Sequence, residues 1–285
     1  MMILADLQKE LEKRFSDAGF ESPDIETAYL LEEVTGFRHN LLWMHKEHRL
    51  TPEEMEKAER YLVRRLADEP FQYICGWTQF RELELTVSSA CLIPRPETEF
   101  LVDHILKHLP PFGIALELGT GSGAIALSLG YERRDARVWA SDISPDALAV
   151  AEQNRLRHAL NNVTLLAGDL FAPFPAGLKS DVLAANLPYI PRSAEPDLPA
   201  NVRDHEPALA LFADDSGMAL IKRALREAPP YLKPGAYLFF EMGPEQTGPL
   251  SDFAAETGYY TDITILADQY GEKRFLQCNF SENDL

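Results

Sequence analysis

The sequence predicts an α/β protein: a doubly wound parallel sheet with a C-terminal antiparallel hairpin, preceded by a small helical domain. From about residue 96 onward, short apolar runs alternate with amphipathic helical stretches, as in a sheet covered by helices on both faces. The first eighty residues show helical periodicity alone. A chain of 285 residues has room for two such domains. We therefore predict a helical domain at 1–75, a β-hairpin linker at 76–95 and the α/β domain at 96–285.

The N-terminal region carries signals for helices. Its first apolar side chains recur at helical spacing, at Ile3, Leu4, Leu7, Leu11 and Phe15. Ser22 followed by Pro23 predicts the start of a second helix, which Gly36 can end. The run Thr51-Pro52-Glu53-Glu54 is a capping box that predicts a third helix, ending before Pro70. The region contains no catalytic pattern, so we interpret it as a substrate-recognition domain.

The α/β domain follows a point in the sequence where the spacing of apolar residues changes from helical to alternating. Partial alternation between Trp77 and Pro94 predicts an extended hairpin, and a helix can begin only at Pro96. Buried parallel strands are predicted at Ile114–Leu118, Arg137–Ser141, Val163–Ala167, Asp181–Ala185 and Ala236–Glu241. Helices are predicted near 123–131, 145–159 and 216–228, and a hairpin at 259–267 and 273–280.

The composition excludes several classes of protein. Lys and Arg total 27 against 45 Asp and Glu, a net charge of −18, so the chain lacks the positive field of a general nucleic-acid coat protein. Three scattered cysteines argue against a disulfide framework or a zinc cluster. No apolar run approaches the ~20 residues of a membrane span. We expect a cytoplasmic protein without a metal site.

The first chemical signal is a glycine-rich turn between a strand and a helix, Leu116-Glu117-Leu118-Gly119-Thr120-Gly121-Ser122-Gly123-Ala124. Glycines allow close approach of the backbone to a ligand, and the helix N-terminus offers free N–H groups. A nicotinamide or flavin dinucleotide normally requires the spacing G-x-G-x-x-G. The spacing here is G-x-G-x-G, which modestly disfavours a dinucleotide.

Two acidic residues follow the next strands. Asp142 ends a predicted strand, where a carboxylate can accept hydrogen bonds from both hydroxyls of a ribose. Its alternative role as a helix cap is better filled by Ser144. Asp169 lies where an acid could bind an adenine amino group, although aspartate is also common in turns.

The tetrapeptide Asn186-Leu187-Pro188-Tyr189 separates the functional classes. It follows the fourth strand, at the sheet edge where ligands bind. Asparagine supplies a side-chain carbonyl, the next backbone carbonyl is free of helix bonding, and tyrosine offers a flat face. Together they indicate a clamp for a planar NH₂ group. By contrast, His104 and His108 lack the glutamate of a zinc protease motif and are interpreted as structural.

These motifs resemble class I S-adenosylmethionine-dependent methyltransferases that act on a planar nitrogen. Further stretches resemble the peptide chain release factor glutamine N5-methyltransferases of the HemK type. They are Gln72-Tyr73-Ile74-Cys75-Gly76, Ile93-Pro94-Arg95-Pro96-Glu97-Thr98-Glu99, Val202-Arg203-Asp204-His205-Glu206-Pro207 and Ala213-Asp214-Asp215-Ser216-Gly217-Met218. The resemblance runs from about residue 70 to the C-terminus.

The resemblance implies methyl transfer from S-adenosylmethionine to the glutamine of the Gly-Gly-Gln motif in class 1 release factors. From the net charge and the lack of a long apolar run, we expect no direct contact with nucleic acid or membrane. The resemblance also implies two groups of site residues. The cofactor-binding residues would be Glu117, Gly119, Thr120, Gly121, Ser122, Gly123, Asp142, Asp169, Leu170 and Asn186. The catalytic residues would be Asn186, Leu187, Pro188 and Tyr189. The family usually has proline where this chain has Leu187, so the fixed φ of that position is lost.

Two alternatives remain from the sequence. An adenine-N6 DNA methyltransferase shares the clamp but would need a basic groove, and no Lys/Arg-rich segment supplies one. A non-catalytic helical binding module with a decayed methyltransferase-like domain is the other. Cofactor affinity would exclude the decayed domain, and the identity of the methylated molecule would separate the two enzymes.

Overall fold

The computed structural model describes residues 2–282, and the chain divides after Cys75 into two compact units. The hairpin predicted as a linker belongs to the second unit, which begins at Gly76. In this described part, no helix combines the length and the apolar composition needed to cross a membrane.

The first unit is helical. Its described elements are α1 (Leu4–Asp17), α2 (Pro23–Thr35), a 3-10 helix (His39–His45), α3 (Pro52–Leu66) and α4 (Phe71–Cys75). The predicted stripe of α1 is buried, and Phe15 at its end is fully enclosed against Leu30, Leu31 and Leu62 of the neighbouring helices. Burial of these apolar faces, rather than helix propensity, supplies most of the stability of helices of this length.

The helix ends of the first unit follow the sequence signals with two differences. Gly36 ends α2 with a left-handed φ of 75°, and the capping box is formed, with Glu54 N–H donating to Thr51 Oγ1 at 3.1 Å. The Ser22 side chain makes no capping hydrogen bond, so Pro23 alone marks the start of α2. Helix α3 already ends at Leu66, because Asp68 adopts a left-handed φ of 60° ahead of Pro70.

The second unit alternates strands and helices. In chain order its described elements are β1 (Trp77–Phe80), β2 (Leu83–Thr86), α5 (Pro96–His108), β3 (Ile114–Leu118), α6 (Ala124–Glu132), β4 (Arg137–Asp142), α7 (Pro145–Arg157), β5 (Val163–Ala167), β6 (Ser180–Ala185), β7 (Ile190–Pro191), α8 (Ala200–Arg203), α9 (Ala208–Leu211), β8 (Phe212–Ala213), α10 (Ala219–Glu227), β9 (Leu232–Glu241), α11 (Thr247–Glu256), β10 (Tyr260–Ala267) and β11 (Lys273–Phe280). Short 3-10 helices lie at Arg192–Asp197, Pro229–Tyr231 and Pro244–Gln246.

The described strands form a seven-stranded sheet in the order β10-β11-β9-β6-β3-β4-β5. The five strands from β9 to β5 are parallel neighbours, and β11 and β10 add an antiparallel hairpin at one side. The predicted sheet is thus confirmed. The largest difference from the predicted bounds is in β9, which begins at Leu232 instead of Ala236. A register shift against β6 accommodates Pro234 and Gly235, residues that normally mark a turn.

Alternate residues of each strand enter two different cores. Leu116, Leu183 and Leu238 pack with α10 and α11 on one face of the sheet. Ala115, Val182 and Phe239 pack with α5 and α6 on the other face. Both faces of the central strands are therefore buried, which explains why they are continuous apolar runs.

The β1–β2 hairpin is joined to the glycine-rich turn by one buried side chain. Asn154 of α7 is fully buried; its Oδ1 accepts from Thr86 N–H at 2.7 Å, and its Nδ2 donates to the Thr86 carbonyl at 3.0 Å. The same Nδ2 donates to the carbonyl of Ser122 at 2.9 Å. Because Asn154 and Ser122 are buried and Thr86 is half-buried, losing the amide would leave several polar atoms without hydrogen bonds.

Candidate active site

The loops after β3 and β6 face each other at the carboxyl edge of the sheet. Strand β3 has β4 on one side and β6 on the other, so the chain direction across the sheet reverses here. Open α/β sheets bind ligands at such a switch point. The loops are in close contact: a Cβ on Gly119 would lie 3.0 Å from Leu187 Cδ2. Tertiary folding therefore brings together the glycine-rich turn and the Asn-x-Pro-Tyr segment.

The glycine-rich turn depends on left-handed backbone. Gly119, Gly121 and Gly123 have φ values of 70°, 56° and 88°, a region that side chains with a Cβ rarely occupy. The N–H groups of Gly119 and Thr120 donate to the Ser141 carbonyl at 2.8 and 3.0 Å, which fixes the turn to β4. A Cβ on Gly121 would meet no atom within 4 Å, so the turn faces open space at this point.

Asp142 ends β4 beside this turn. Its Oδ2 accepts from Gly121 N–H at 2.8 Å and its Oδ1 from Ser144 N–H at 2.9 Å, so the carboxylate is held in one orientation. Burial raises the pKa of Asp142, and the backbone hydrogen bonds act against that shift. Ser144 caps α7 by accepting from Ala147 N–H at 3.2 Å, as the sequence predicts. Asp142 is therefore available for another partner.

Glu117 lies beneath the turn as a buried carboxyl. Its Oε2 accepts from Thr120 Oγ1 at 2.6 Å and from Ala126 N–H at 3.0 Å. Burial raises the pKa of Glu117 to about 7, because these two bonds only partly offset the loss of hydration. This carboxyl therefore changes charge near neutral pH.

The Asn186 side chain is anchored on its nitrogen side. Its Nδ2 donates to Thr98 Oγ1 at 3.3 Å, and Thr98 Oγ1 donates to Glu241 Oε2 at 2.7 Å. The next residue, Leu187, is 3% exposed and belongs to the core under α10 and α11. Packing, rather than the fixed φ of a proline, holds this position.

Tyr189 is fixed through its backbone by the 3-10 helix before α11 and the turn before α10. Gln246 Nε2 donates to the Tyr189 carbonyl at 2.6 Å and to the Ser216 carbonyl at 2.9 Å. Gly217, with a φ of 85°, lies against the same carbonyl, where a Cβ would approach Tyr189 O to 1.9 Å. Burial raises the pKa of the Tyr189 phenol, so it stays neutral. This contact gives a structural reason for the glycine in the stretch 213–218.

Asp169 and Leu170 follow β5. The Asp169 carboxylate forms an ion pair with Arg223 of α10 at 2.8 Å and is partly exposed. Leu170 is buried with a φ of 46°, and its carbonyl accepts from Ser141 Oγ at 2.8 Å. The backbone of this segment is thus joined to the end of β4.

A cavity of about 210 Å³ lies between these loops. Of the cofactor-binding and catalytic residues that the resemblance implies, those that line it are Glu117, Gly119, Thr120, Gly121, Ser122, Asp142, Asp169, Leu170, Asn186, Leu187 and Pro188, and Thr98 lines it as well. Gly123 and Tyr189 lie outside this lining: Gly123 precedes α6, and Tyr189 is held by Gln246. The Ser122 hydroxyl is buried without a hydrogen-bond partner.

Part of the cavity wall comes from two segments to which the residues alone gave no role. Cys91, Leu92 and Pro94 line one side, and Pro207, Leu209 and Ala210 line another. An ion pair joins the two segments, with Arg95 Nη2 at 2.7 Å from Glu206 Oε1. Glu206 has a side chain only 1% exposed, and burial raises its pKa while Arg95 lowers it. Nothing in the local sequence pairs residues that are so far apart in the chain.

Glu241 is a further functional candidate that was not predicted from the sequence. It ends the predicted apolar strand β9 and is 2% exposed. Burial raises its pKa to about 7. An acid at the carboxyl end of a buried strand was the available signal. Within residues 2–282, no three His, Cys, Asp or Glu side chains gather in a group able to hold a metal ion.

Comparisons with known proteins identify the family. One family model, described as the PrmC N-terminal domain, matches residues 6–76, and another, described as a methyltransferase domain, matches residues 113–247. The release factor glutamine methyltransferase of Moorella thermoacetica is 40% identical over 277 residues, 96% of this chain and 97% of the relative. The chain belongs to the release factor glutamine methyltransferase family. The Escherichia coli member is 38% identical over 254 residues, 88% of this chain and 90% of the relative.

Solved structures agree on the fold of this family member. The hMettl16 catalytic domain, in complex with an RNA hairpin of the MAT2A 3'UTR, has a TM-score of 0.58 at 16% identity, covering 82% of this chain and 81% of that chain. A methyltransferase from Pyrococcus furiosus has a TM-score of 0.54 at 17% identity, covering 70% and 89%. At these identities the likeness concerns the fold alone. The predicted class I methyltransferase fold is confirmed.

Proposed function

We propose that this chain transfers a methyl group from S-adenosylmethionine to the side-chain amide N5 of the glutamine in the Gly-Gly-Gln motif of class 1 release factors. The products would be N5-methylglutamine and S-adenosylhomocysteine. One observation carries the proposal: Asn186, the Leu187 segment and Asp142 line a single cavity at the switch point of the sheet. Membership of the release factor glutamine methyltransferase family supports the acceptor.

The cavity residues suit S-adenosylmethionine, which would supply a methyl group already activated on a sulfonium sulfur. The orphaned Ser122 hydroxyl and the left-handed glycine turn offer polar contact and close approach, respectively. Glu117 and the turn Gly119–Gly123 would hold the methionine and the ribose, with Gly123 shaping the turn from outside the cavity lining. Asp142, with both oxygens oriented by backbone N–H groups, would accept from the ribose hydroxyls. Asp169 and Leu170 would border the adenine.

The residues Asn186–Tyr189 would bind the acceptor amide. An amide nitrogen is a weak nucleophile because its lone pair is delocalised. Two acceptors on its NH₂, the Asn186 Oδ1 and the Leu187 carbonyl, would favour a more pyramidal nitrogen and stabilise the positive charge that develops there. Tyr189 would pack on the amide plane. The enzyme's contribution is mainly positioning, and the proton can leave to solvent.

The remaining roles follow from this assignment. We propose the helical unit 1–75 as the substrate-recognition region, the hairpin 76–95 as a linker and 96–285 as the catalytic domain. A release factor acts during translation, so the enzyme would work in the cytoplasm without direct contact with nucleic acid or membrane. The acidity of the chain supports this choice over an adenine-N6 DNA methyltransferase.

The direct test is incubation with labelled S-adenosylmethionine and a purified release factor, followed by peptide mass mapping. We expect label on the glutamine of the Gly-Gly-Gln motif; label on DNA alone would overturn the proposal. Asn186→Ala should largely abolish transfer and leave cofactor affinity nearly unchanged. The exposed Asn161→Ala is a matched control and should transfer at the wild-type rate. Full activity of Asn186→Ala would contradict the assigned role.

A further inference from the structure

The Asn186 amide has two chemically different ends, and its surroundings discriminate between them. Thr98 Oγ1 donates its hydrogen to Glu241 Oε2 at 2.7 Å. The oxygen of that hydroxyl is then left as an acceptor, and it receives the Asn186 Nδ2–H at 3.3 Å. The ionised Glu241 carboxylate can only accept hydrogen bonds, and it also interacts with the Asn186 side chain. Both partners therefore require the NH₂ end of the amide.

We propose that Thr98 and Glu241 are positioning residues that fix the amide orientation of Asn186, so that Oδ1 rather than Nδ2 faces the acceptor NH₂. This inference rests on the proposed function, because it takes the acceptor to be an NH₂ group. In the flipped orientation the NH₂ of Asn186 would face the NH₂ of the substrate. Two donors would then oppose each other in a partly buried site, and neither could be satisfied.

The positions of the two residues suit this role. Thr98 lies in the first turn of α5 and Glu241 at the end of β9, so rigid elements carry both. Their exposed fractions are 3% and 2%, and the hydrogen bond between them is buried, which excludes competing water from it. Thr98 and Glu241 thus join two elements that are far apart in sequence to the single asparagine of the clamp.

The charge on Glu241 links the orientation to pH. The pKa of Glu241 is raised to about 7, because burial and the charge of Glu97 raise it by more than Thr98, Arg274 and Asn186 lower it. The Tyr189 phenol also interacts with the Glu241 carboxylate. Once protonated, the carboxyl gains an O–H donor that can pair with Asn186 Oδ1 and stabilise the flipped amide. We therefore expect kcat to rise with pH through about 7.

Kinetic tests use Thr98→Val and Glu241→Gln. Each should lower kcat by about 10- to 100-fold, the range expected when a buried polar partner is lost, with little change in cofactor affinity or in KM for the release factor. Glu241→Gln always carries a donor, so its kcat should lose the rise near pH 7. Thr98→Ser should restore activity. The matched control is Ser128→Ala in α6, which removes a buried hydroxyl that has no hydrogen-bond partner and does not line the cavity, and it should leave kcat unchanged.

A second readout does not depend on activity. In protein labelled with ¹⁵N-asparagine, the side-chain NH₂ signals of Asn186, assigned by their loss in Asn186→Ala, should exchange slowly with solvent. They should exchange much faster in Thr98→Val. Fast exchange in the wild type, or unchanged kcat in both variants, would overturn the inference. The wild type could fail to methylate release factors while the Asn186 protons still exchange faster in Thr98→Val than in the wild type. The proposed function would then be wrong, and the inferred orientation of Asn186 would still hold.

Discussion

Replacing Gly217 by alanine should disturb the clamp without touching the cavity. The new Cβ would lie 1.9 Å from the Tyr189 carbonyl oxygen and 2.4 Å from Gln246 Nε2, so the backbone or the glutamine must move. The hydrogen bond between those two atoms, 2.6 Å long, would break. Left-handed strain costs about 1–2 kcal/mol, and a buried unpaired polar group adds about 1–3 kcal/mol. We expect a total loss of about 3 kcal/mol in the free energy of unfolding.

The same displacement should reduce activity. Tyr189 follows Asn186 by three residues, and a shift of ~1 Å at a reacting group can cost about 100-fold in rate. The assay compares urea unfolding, cofactor affinity and release factor methylation between wild type and Gly217→Ala. We expect kcat to fall by about 10- to 100-fold, with cofactor affinity nearly unchanged.

A matched variant distinguishes the effect of backbone strain from that of the steric clash. Gly177 has a φ of 81°, close to the 85° of Gly217, but its Cβ would meet no atom within 4 Å. Gly177→Ala should therefore lose only the ~1–2 kcal/mol of backbone strain and keep full activity. If the two variants lose equal stability and both stay active, the argument from close approach is refuted.

Three further predictions concern the cavity. Asp142→Ala should weaken S-adenosylmethionine binding by about 10- to 100-fold in calorimetry, because hydrogen bonds to a charged group are lost; affinity equal to that of the exposed Asp252→Ala would contradict this. Burial raises the pKa of Glu117 to about 7 from an ordinary 4.5, so the protonated form stabilises the fold below pH 4.5 and this contribution is lost as pH rises to 7. The free energy of unfolding of the wild type should therefore fall by on the order of 3 kcal/mol over this pH range, and Glu117→Gln should not show that fall. Arg95→Leu should lower the free energy of unfolding by about 2–3 kcal/mol, less than breaking a fully buried ion pair because Arg95 is 32% exposed. Adding Glu206→Gln should recover part of this loss, measured by urea unfolding.

Much of the fold could be predicted because its signals are local. Strands β3 and β5 match the predicted bounds, since both are apolar runs ended by turn residues. Gly36 and the Thr51 capping box also act within one turn of helix. The prediction was wrong at the start of β9, which lies at Leu232 rather than Ala236, because the bulge at Pro234-Gly235 depends on pairing with β6. Helix α3 ends before Pro70 as predicted, although a left-handed Asp68 already stops it at Leu66.

The candidate site also has a part that local sequence signals predict and a part that they do not. The sequence by itself determined which segments carry chemistry, because the glycine turn, Asp142 and Asn186 each follow a buried strand at a recognisable position. Only the tertiary structure decided which residues support them. Thr98 lies 88 residues from Asn186 and 143 from Glu241 along the chain. Their hydrogen bonds exist only because the sheet order places β9 beside β6 and α5 packs on both, an arrangement that no local pattern records.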